Sequence, residues 1–543
     1  MSWLLEIQKL FETPGIPHPY WKVATNQIEG NTMECFLNRH QDHIRGVLSG
    51  FDRVVFRGTL RSISHVKGME TFLNVHHVLL KDFGSFVEAQ SSLLKTHAQK
   101  FAQDHKRPYE YIVSASRSKA DIAKEIMHRD GIEEGLICVL SCVELCMSYT
   151  IRRDRDSKTI HLESAPRKCL YLYFYFIDPE FGFMHVRLQS WFPFPIQVCI
   201  NGREWLARDL DKAGISYQRR DNCFIEIADI NKAQELADAA IKRNWLKLLN
   251  RFSDRFNPLL KSLDIRSYYW TIREGEYATD VMFKDPNYLK SIYPHLIHHA
   301  IEHFHTTDVV RYFGKYADRR FHGEVSSNTC QREEGVRVKH WVDENSIKMY
   351  DKQGQLLRIE TTINNPRRFK VYRSVKRDGR DIYAWRALRK GIADIWRRVQ
   401  ISHKANSAYL DALAVVEHKE PAYQYLDRLA KPVYKKNRRY RGLRPIHPEE
   451  AKWFQVILNG KFLIYGFRNA DLRPLIFSKP KHPKEKEQQM GKVTRFIKLM
   501  CAHGLVRKMP KTHRYRITQK GQLTMSTAMS IRNSCLSQLE KAA

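Results

Sequence analysis

No stretch of the chain approaches the roughly 18–20 apolar residues that a membrane-crossing helix requires, so no integral membrane protein and no membrane partner are expected. The opening residues, MSWLLEIQKLFETPGIPHPYW, lack a basic start followed by an apolar run, so no secretory signal is expected. The ten cysteines include no CxxC pair, which argues against a structural zinc site and suits a reducing, cytoplasmic setting. Glycine and proline are ordinary, at 25 and 20 of 543 residues, and no repeat of fixed period occurs. With 43% hydrophobic and 28% charged residues, the composition is globular rather than collagen-like or disordered. Negative charge is the scarce commodity. Lys and Arg number 91 against 59 Asp and Glu, a formal net charge of +32. A field of that sign attracts polyanions, so DNA is the expected partner and RNA the alternative. From Lys431 to the end there are 26 basic and 6 acidic residues, so +20 of the +32 lies in that segment.

The patterning predicts an α+β multidomain chain. Residues 1–45 read as an extended lead-in. Over 46–245 the order strand, helix, strand, helix, strand predicts an α/β layered domain, followed by aromatic antiparallel strands. Its elements include SGFDRVVFRGTL (49–60), a helix over 118–131 with Ser118 as its cap, GLICVLSCVE (135–144), and a turn at DPEFG. Residues 246–430 read as a mostly helical region with a β-hairpin insertion at 335–373, whose turn is DKQG. A basic linker (431–447), a compact module (448–525) and a tail (526–543) complete the chain.

In the module, helices are predicted at 448–458, 469–477 and 490–504, with a short strand at FLIYGF. LVRKM and HRYRIT then form a hairpin around PKT. This order resembles the winged-helix family of DNA-binding domains. By that resemblance the third helix, with Lys492, Arg495 and Lys498, enters the major groove. The wing, with Lys508, Lys511, Arg514 and Arg516, contacts phosphate or the minor groove. The lysine-rich SKPKHPKEKEQQ (478–489) departs from the family's tight turn between second and third helices.

Candidate chemistry in the body rests on carboxylates. Asp52 opens the first strand, Glu144 closes GLICVLSCVE, and EGEYATD places Glu276 and Asp280 one turn apart if helical. Convergent carboxylates hold Mg²⁺ or Mn²⁺ in nucleases and transposases, so Asp52, Glu144 and Asp280 are the candidate metal ligands and catalytic residues. The competing expectation is that each pairs with one of the abundant basic residues. In KMYDKQGQLLRIETT, Lys348, Tyr350 and Lys352 alternate on one strand and Arg358 and Glu360 on its partner. This segment resembles one of rolling-circle replication initiators, which implies nicking by a tyrosine with a carboxylate and makes Glu360 a further catalytic candidate. The His-x-His pair of that superfamily is missing, since MHVRLQ offers His185 and then Arg187 and Gln189.

His295, His299 and His303 recur at helical spacing, but three successive turns span about 12 Å, too far for one zinc ion. YLYFYF and SWFPFP offer either core or a base-stacking platform. FDRVVFRGTL, NGREWL, NSIKMYDK and LRIETTIN make the whole chain similar to a bacterial protein group without an assigned activity, and that likeness implies a link to mobile genetic elements. Two functions are therefore expected to compete. One is a metal-dependent DNA-processing enzyme of transposase, nuclease or replication-initiator type. The other is a non-catalytic DNA-binding regulator or architectural protein.

Overall fold

The computed structural model describes residues 33–533 apart from 115–116, 155, 157, 266, 305, 315–323, 333–334, 353, 378–379, 415–421, 436, 460–461, 463–465 and 511. Residues 1–32 of the expected lead-in lie outside the described residues, as does the end of the tail; the rest of it is not extended throughout, since Glu34–Arg39 form a helix and a strand begins at Ile44. The fold is mixed α/β with one large mixed sheet and many helices. Two compact units emerge, one of residues 42–301 with 313–406, the other of 1–41, 302–312 and 407–543.

The first unit is built on eleven strands: β1 (Ile44–Thr59), β2 (Tyr109–Tyr111), β3 (Gly135–Arg153), β4 (Ile160–Asp178), β5 (Gly182–Gln189), β6 (Ile196–Asn201), β9 (Tyr269–Phe283), β10 (Val325–Arg332), β11 (Gly335–Val342), β12 (Asn345–Lys352) and β13 (Leu356–Thr362). Their order is β10-β11-β12-β13-β9-β1-β6-β5-β4-β3-β2. A separate hairpin, β7 (Tyr217–Arg220) and β8 (Cys223–Ile227), packs beside it. Among the described residues, β2 alone pairs in parallel, with β3.

Alternation along β1 divides the sheet into two faces. Val54 and Phe56 enter a core covered by the helices Val66–Val75, Phe83–Asp104 and Trp245–Phe256, together with Ile395 and Val399. Arg53 and Arg57 point the other way and are exposed. That second face is covered only in part. The helix Lys119–Arg129, capped by the Ser118 hydroxyl, lies over Cys138, Leu140 and Cys142 of β3 and Tyr171, Tyr173 and Tyr175 of β4. The helices Gly202–Lys212 and Ile230–Ile241 cover Leu48, Met282 and Leu356. A polar strip stays open between them.

Three expectations are corrected. Residues 269–283, placed in a helical region, form a strand that pairs with β1 and β13, so one sheet runs through both regions. The β-branched and aromatic content of YWTIREGEYATDVMF suits a strand, and pairing with β1 decides the matter. Lys370–Arg377 and Arg380–Ala387 form a second hairpin where helix was expected in part. Cys146 and Cys169 are joined across β3 and β4, with Cα atoms 6.4 Å apart, whereas the cysteine usage was read as suited to a reducing setting. A separation of 23 residues hides such cross-strand neighbours from the sequence. The YLYFYF run is core on both faces: Leu172, Phe174 and Phe176 on one, and the three tyrosines under the helix on the other. Phe192 and Phe194 are buried as well.

In the second unit, helices Pro448–Ile457, Asn469–Ile476 and Pro483–Ala502 enclose a core of Phe454, Phe467, Leu472, Val493, Phe496, Ile497 and Met500. A hairpin of Val506–Lys508 and Tyr515–Ile517 follows, and Phe467 joins it by exchanging two 2.8 Å backbone hydrogen bonds with Tyr515. The third helix starts at Pro483, so most of the 478–489 insertion is helix and the connection shrinks to 477–482. The end expected to be a tail from 526 continues the helix Gln519–Asn533.

Asp411 in this unit accepts a hydrogen bond from the Cys35 backbone N–H at 3.2 Å. Burial pushes its carboxyl up to about 7, against the pull of two backbone hydrogen bonds and Arg516, while Glu34 pushes it further up. A folded-state value raised above the ordinary carboxylate value means that the folded chain holds this proton when the unfolded chain has lost it. Stability therefore falls as pH rises from about 4 to about 7 and stays lower above that. Asp411→Asn keeps the acceptor and removes the charge. Its urea midpoint at pH 8 should exceed the parent's by the equivalent of up to about 4 kcal/mol, an excess that shrinks as pH falls below 7 and vanishes only near pH 4.

Candidate functional site

One face of the sheet gathers residues of FDRVVFRGTL, NGREWL, NSIKMYDK and LRIETTIN into a largely buried charge cluster. Asp52 lies mid-strand at a bulge, the extra residue between the pairs Phe51–Tyr277 and Arg53–Glu276. Bulges re-aim side chains, and this one turns Asp52 beside Asp280 of β9. Arg358 of β13 donates from Nε and Nη2 to Asp280 at 2.6 and 2.8 Å, and from Nη1 to Asp52 at 2.8 Å. Arg203 adds a 2.8 Å ion pair to Asp280. Asn222, in the β7–β8 turn, donates to Asp52 at 2.7 Å and accepts from Arg358 at 2.9 Å.

Local sequence explains how Arg203 arrives. Asn201 caps its helix by accepting from the Arg203 and Glu204 backbone N–H groups. Gly202 is required because a Cβ there would sit 2.0 Å from the Phe51 carbonyl oxygen, next to the bulge. The NGREWL stretch thus threads a guanidinium into the cluster. Arg203 and Arg358 are both fully buried. Burial disfavours the charge on Asp280, but Arg203 and Arg358 outweigh it and hold its carboxyl below the usual range. At Asp52 burial prevails, and its carboxyl is pushed up despite Arg358.

A second group lies along the same face. Lys348 of β12 bridges Glu360, its direct neighbour on β13, and Glu276 on β9. The Tyr350 hydroxyl donates to Glu360 at 2.8 Å. Burial, reinforced by Glu360, raises the Tyr350 phenol well above its usual range. Arg53 closes the chain of charges with 3.1 Å to Glu276 and 2.9 Å to Glu274.

Glu144 is elsewhere. Four strand spacings, about 19 Å of sheet, separate β3 from β1, so Glu144 shares no ion with Asp52 and Asp280. It pairs with Arg187 and with Lys119 at 3.1 Å and accepts from Tyr173 at 2.7 Å. Burial opposes its charge, yet these hydrogen bonds and cations hold its carboxyl below the usual range. Glu276 and Asp280 share a face because a strand repeats every two residues, but lie about 13 Å apart along β9. The proposed ligand set Asp52, Glu144 and Asp280 is therefore corrected. The donors do not fit Mg²⁺ or Mn²⁺: a guanidinium sits between Asp52 and Asp280, and an ammonium between Glu276 and Glu360. The expectation that each carboxylate finds a basic partner describes all four candidates.

At the end of the helix Pro286–Glu302, the exposed His298, Glu302 and His303 bring ligand atoms within 4.8 Å of one another. This differs from the expected series His295, His299 and His303. The sequence points to Arg358 only by its alternation with Glu360, and it does not single out Arg203, Arg57 or Arg273, although an arginine set among the apolar residues of REWL was a usable signal.

On the second unit, Lys492, Arg495 and Lys498 are exposed on the third helix, with Val493, Phe496, Ile497 and Met500 buried between them. Lys508 is exposed on the hairpin with Arg507. Arg514 and Arg516 are half-buried, and Lys511 lies outside the described residues. Comparison with protein-family models, with curated proteins and with solved structures returns no match.

Proposed function

We propose that this chain is a DNA-binding protein that docks through residues 448–533, a winged helix whose third helix carries the contact stripe. One observation carries the reading: Lys492, Arg495 and Lys498 form an exposed cationic stripe, with no acidic ion-pair partner among the described residues, on a helix whose opposite face is core. The Phe467–Tyr515 pairing beside the hairpin supports the winged-helix assignment, and so does the surplus of +20 beyond Lys431. The non-catalytic reading is favoured over metal-dependent cutting, because the cationic side chains already neutralise the carboxylates of the sheet.

The test is duplex binding by the full chain across a salt series. Replacing Lys492, Arg495 and Lys498 with Ala should flatten the plot of log affinity against log salt by about 2.7, at about 0.9 per lost phosphate contact. If one of the three reads a guanine edge, its loss costs about 1–3 kcal/mol at one base position. An unchanged affinity and slope would remove the helix as docking element. Cleavage of plasmid or single-stranded DNA with Mg²⁺ or Mn²⁺, abolished by Glu360→Gln, would instead establish the processing enzyme.

A further inference from the structure

Cross-strand register sets Arg57 of β1, Gln197 of β6 and Arg187 of β5 in one row on the polar face. β9 extends the row through Arg273, the extra residue of a second bulge, where Glu274 opposes Val55 and Ile272 opposes Phe56. Arg53, four residues back along β1, is balanced by Glu274 and Glu276. The row itself is not balanced. Arg187 has Glu144, but Arg57 and Arg273 have no acidic partner within ion-pair distance among the described residues, and both are exposed. Like charges on neighbouring strands destabilise a sheet, so the arrangement is costly unless an anion completes it.

Other features agree. Burial, with Arg273 and Arg187 adding to it, holds the Arg57 guanidinium below its ordinary range. Burial and the charges of Arg187 and Arg53 also push His185 down to about 4, so that side chain adds no positive charge at neutral pH. The Arg187 Nε is buried with no hydrogen-bond acceptor among the described residues. Just past the end of β1, the Arg61 guanidinium lies 3.3 Å from the ring centroid of Tyr269, which is 38% exposed. Guanidinium groups favour phosphate because they are always charged and present a planar fork of donors. The open strip from β5 to β9 spans three strand spacings, about 14 Å, which admits one nucleic-acid strand more readily than a duplex.

We infer that Arg57, Arg273 and Arg187, with Gln197, bind the phosphodiester backbone of a single-stranded nucleic acid laid across the polar strip. This rests on the nucleic-acid-binding reading above and adds a second, strand-selective site to it. No bond is made or broken there.

The experiment uses the full chain with a fluorescein-labelled oligothymidylate, measured by anisotropy over a salt series, and a labelled duplex in parallel. Arg57→Gln with Arg273→Gln should lower the single-strand salt slope by about 1.4, at about 0.7 per phosphate contact, and leave duplex binding unchanged. Arg57→Lys with Arg273→Lys, which keeps the charge, should restore most of the slope. The urea midpoint of the Gln pair should equal or exceed the parent's, since it removes a repulsion, and that of the Lys pair should match the parent's. A single-strand slope unchanged in the Gln variant overturns the proposal while the duplex result still stands. Polyglutamate competing as well as the oligonucleotide would also overturn it, by showing a generic anion site. Failure of the parent to bind any nucleic acid would defeat the broader reading instead.

Discussion

Arg358→Met should lower the stability of the sheet-bearing unit by about 3–5 kcal/mol, the usual result of stranding buried charge. Asp280 is 1% exposed and would lose two of its three guanidinium contacts, and Asp52 would lose its 2.8 Å partner. A domain's total stability is only about 5–15 kcal/mol, so this one change could consume most of it. The readout is the urea transition followed by tryptophan fluorescence, since Trp205, Trp245 and Trp270 all lie in this unit's core. Adding Asp280→Asn should recover part of the loss, because the stranded charge rather than the missing contact dominates the penalty. Equal instability of the single and double variants would contradict this account.

The second large effect belongs to Gly466→Ala. Gly466 adopts φ +65, and a Cβ there would approach the Tyr515 carbonyl oxygen to 2.2 Å. The left-handed backbone alone costs a non-glycine residue about 1–2 kcal/mol. The clash must also displace Tyr515, breaking the two hydrogen bonds that fasten Phe467 to the hairpin. A total of about 2–4 kcal/mol is expected, with loss of duplex binding and an unchanged transition for the sheet unit. Gly504→Ala is the control. Its φ is +75, but a Cβ would meet nothing within 4 Å, so only the backbone cost of about 1–2 kcal/mol applies.

Local signals were legible in the sequence. The Ser118 cap, the DPEFG turn between β4 and β5, and the DKQG turn with Gly354 at φ +68 were all readable over a few residues. So was the stripe of Lys492, Arg495 and Lys498, because helical periodicity alone sorts that helix into core and solvent positions. The candidate site was legible only as separate letters. Asp52, Asp280 and Glu360 were singled out for their chemistry, but their partners Arg358, Arg203 and Lys348 depend on which strands become neighbours. That choice places residue 52 beside residue 280, and two bulges then aim Asp52 and Arg273. Neither bulge has a local signature, because the extra residue is neither glycine nor proline. β9 itself was misread as helix for the same reason: its Glu, Gly and Ala dilute a strand pattern that only pairing with β1 and β13 resolves.

The position of β1 in the sheet has a consequence for biosynthesis. This strand is made before both of its neighbours, since it ends at residue 59 while β6 and β9 end at residues 201 and 283. At about 5–20 residues per second, β1 waits roughly 10–45 s between its own emergence and that of its last partner. Throughout that interval Val54, Val55 and Phe56 form an unpaired apolar edge, the kind of segment that seeds intermolecular β-pairing. Slower growth at lower temperature weakens hydrophobic association, and holdase chaperones cover exposed strands, so both should raise the soluble yield of this chain. The arginines at 53 and 57, whatever they bind in the finished fold, flank that edge and act as gatekeepers while it waits.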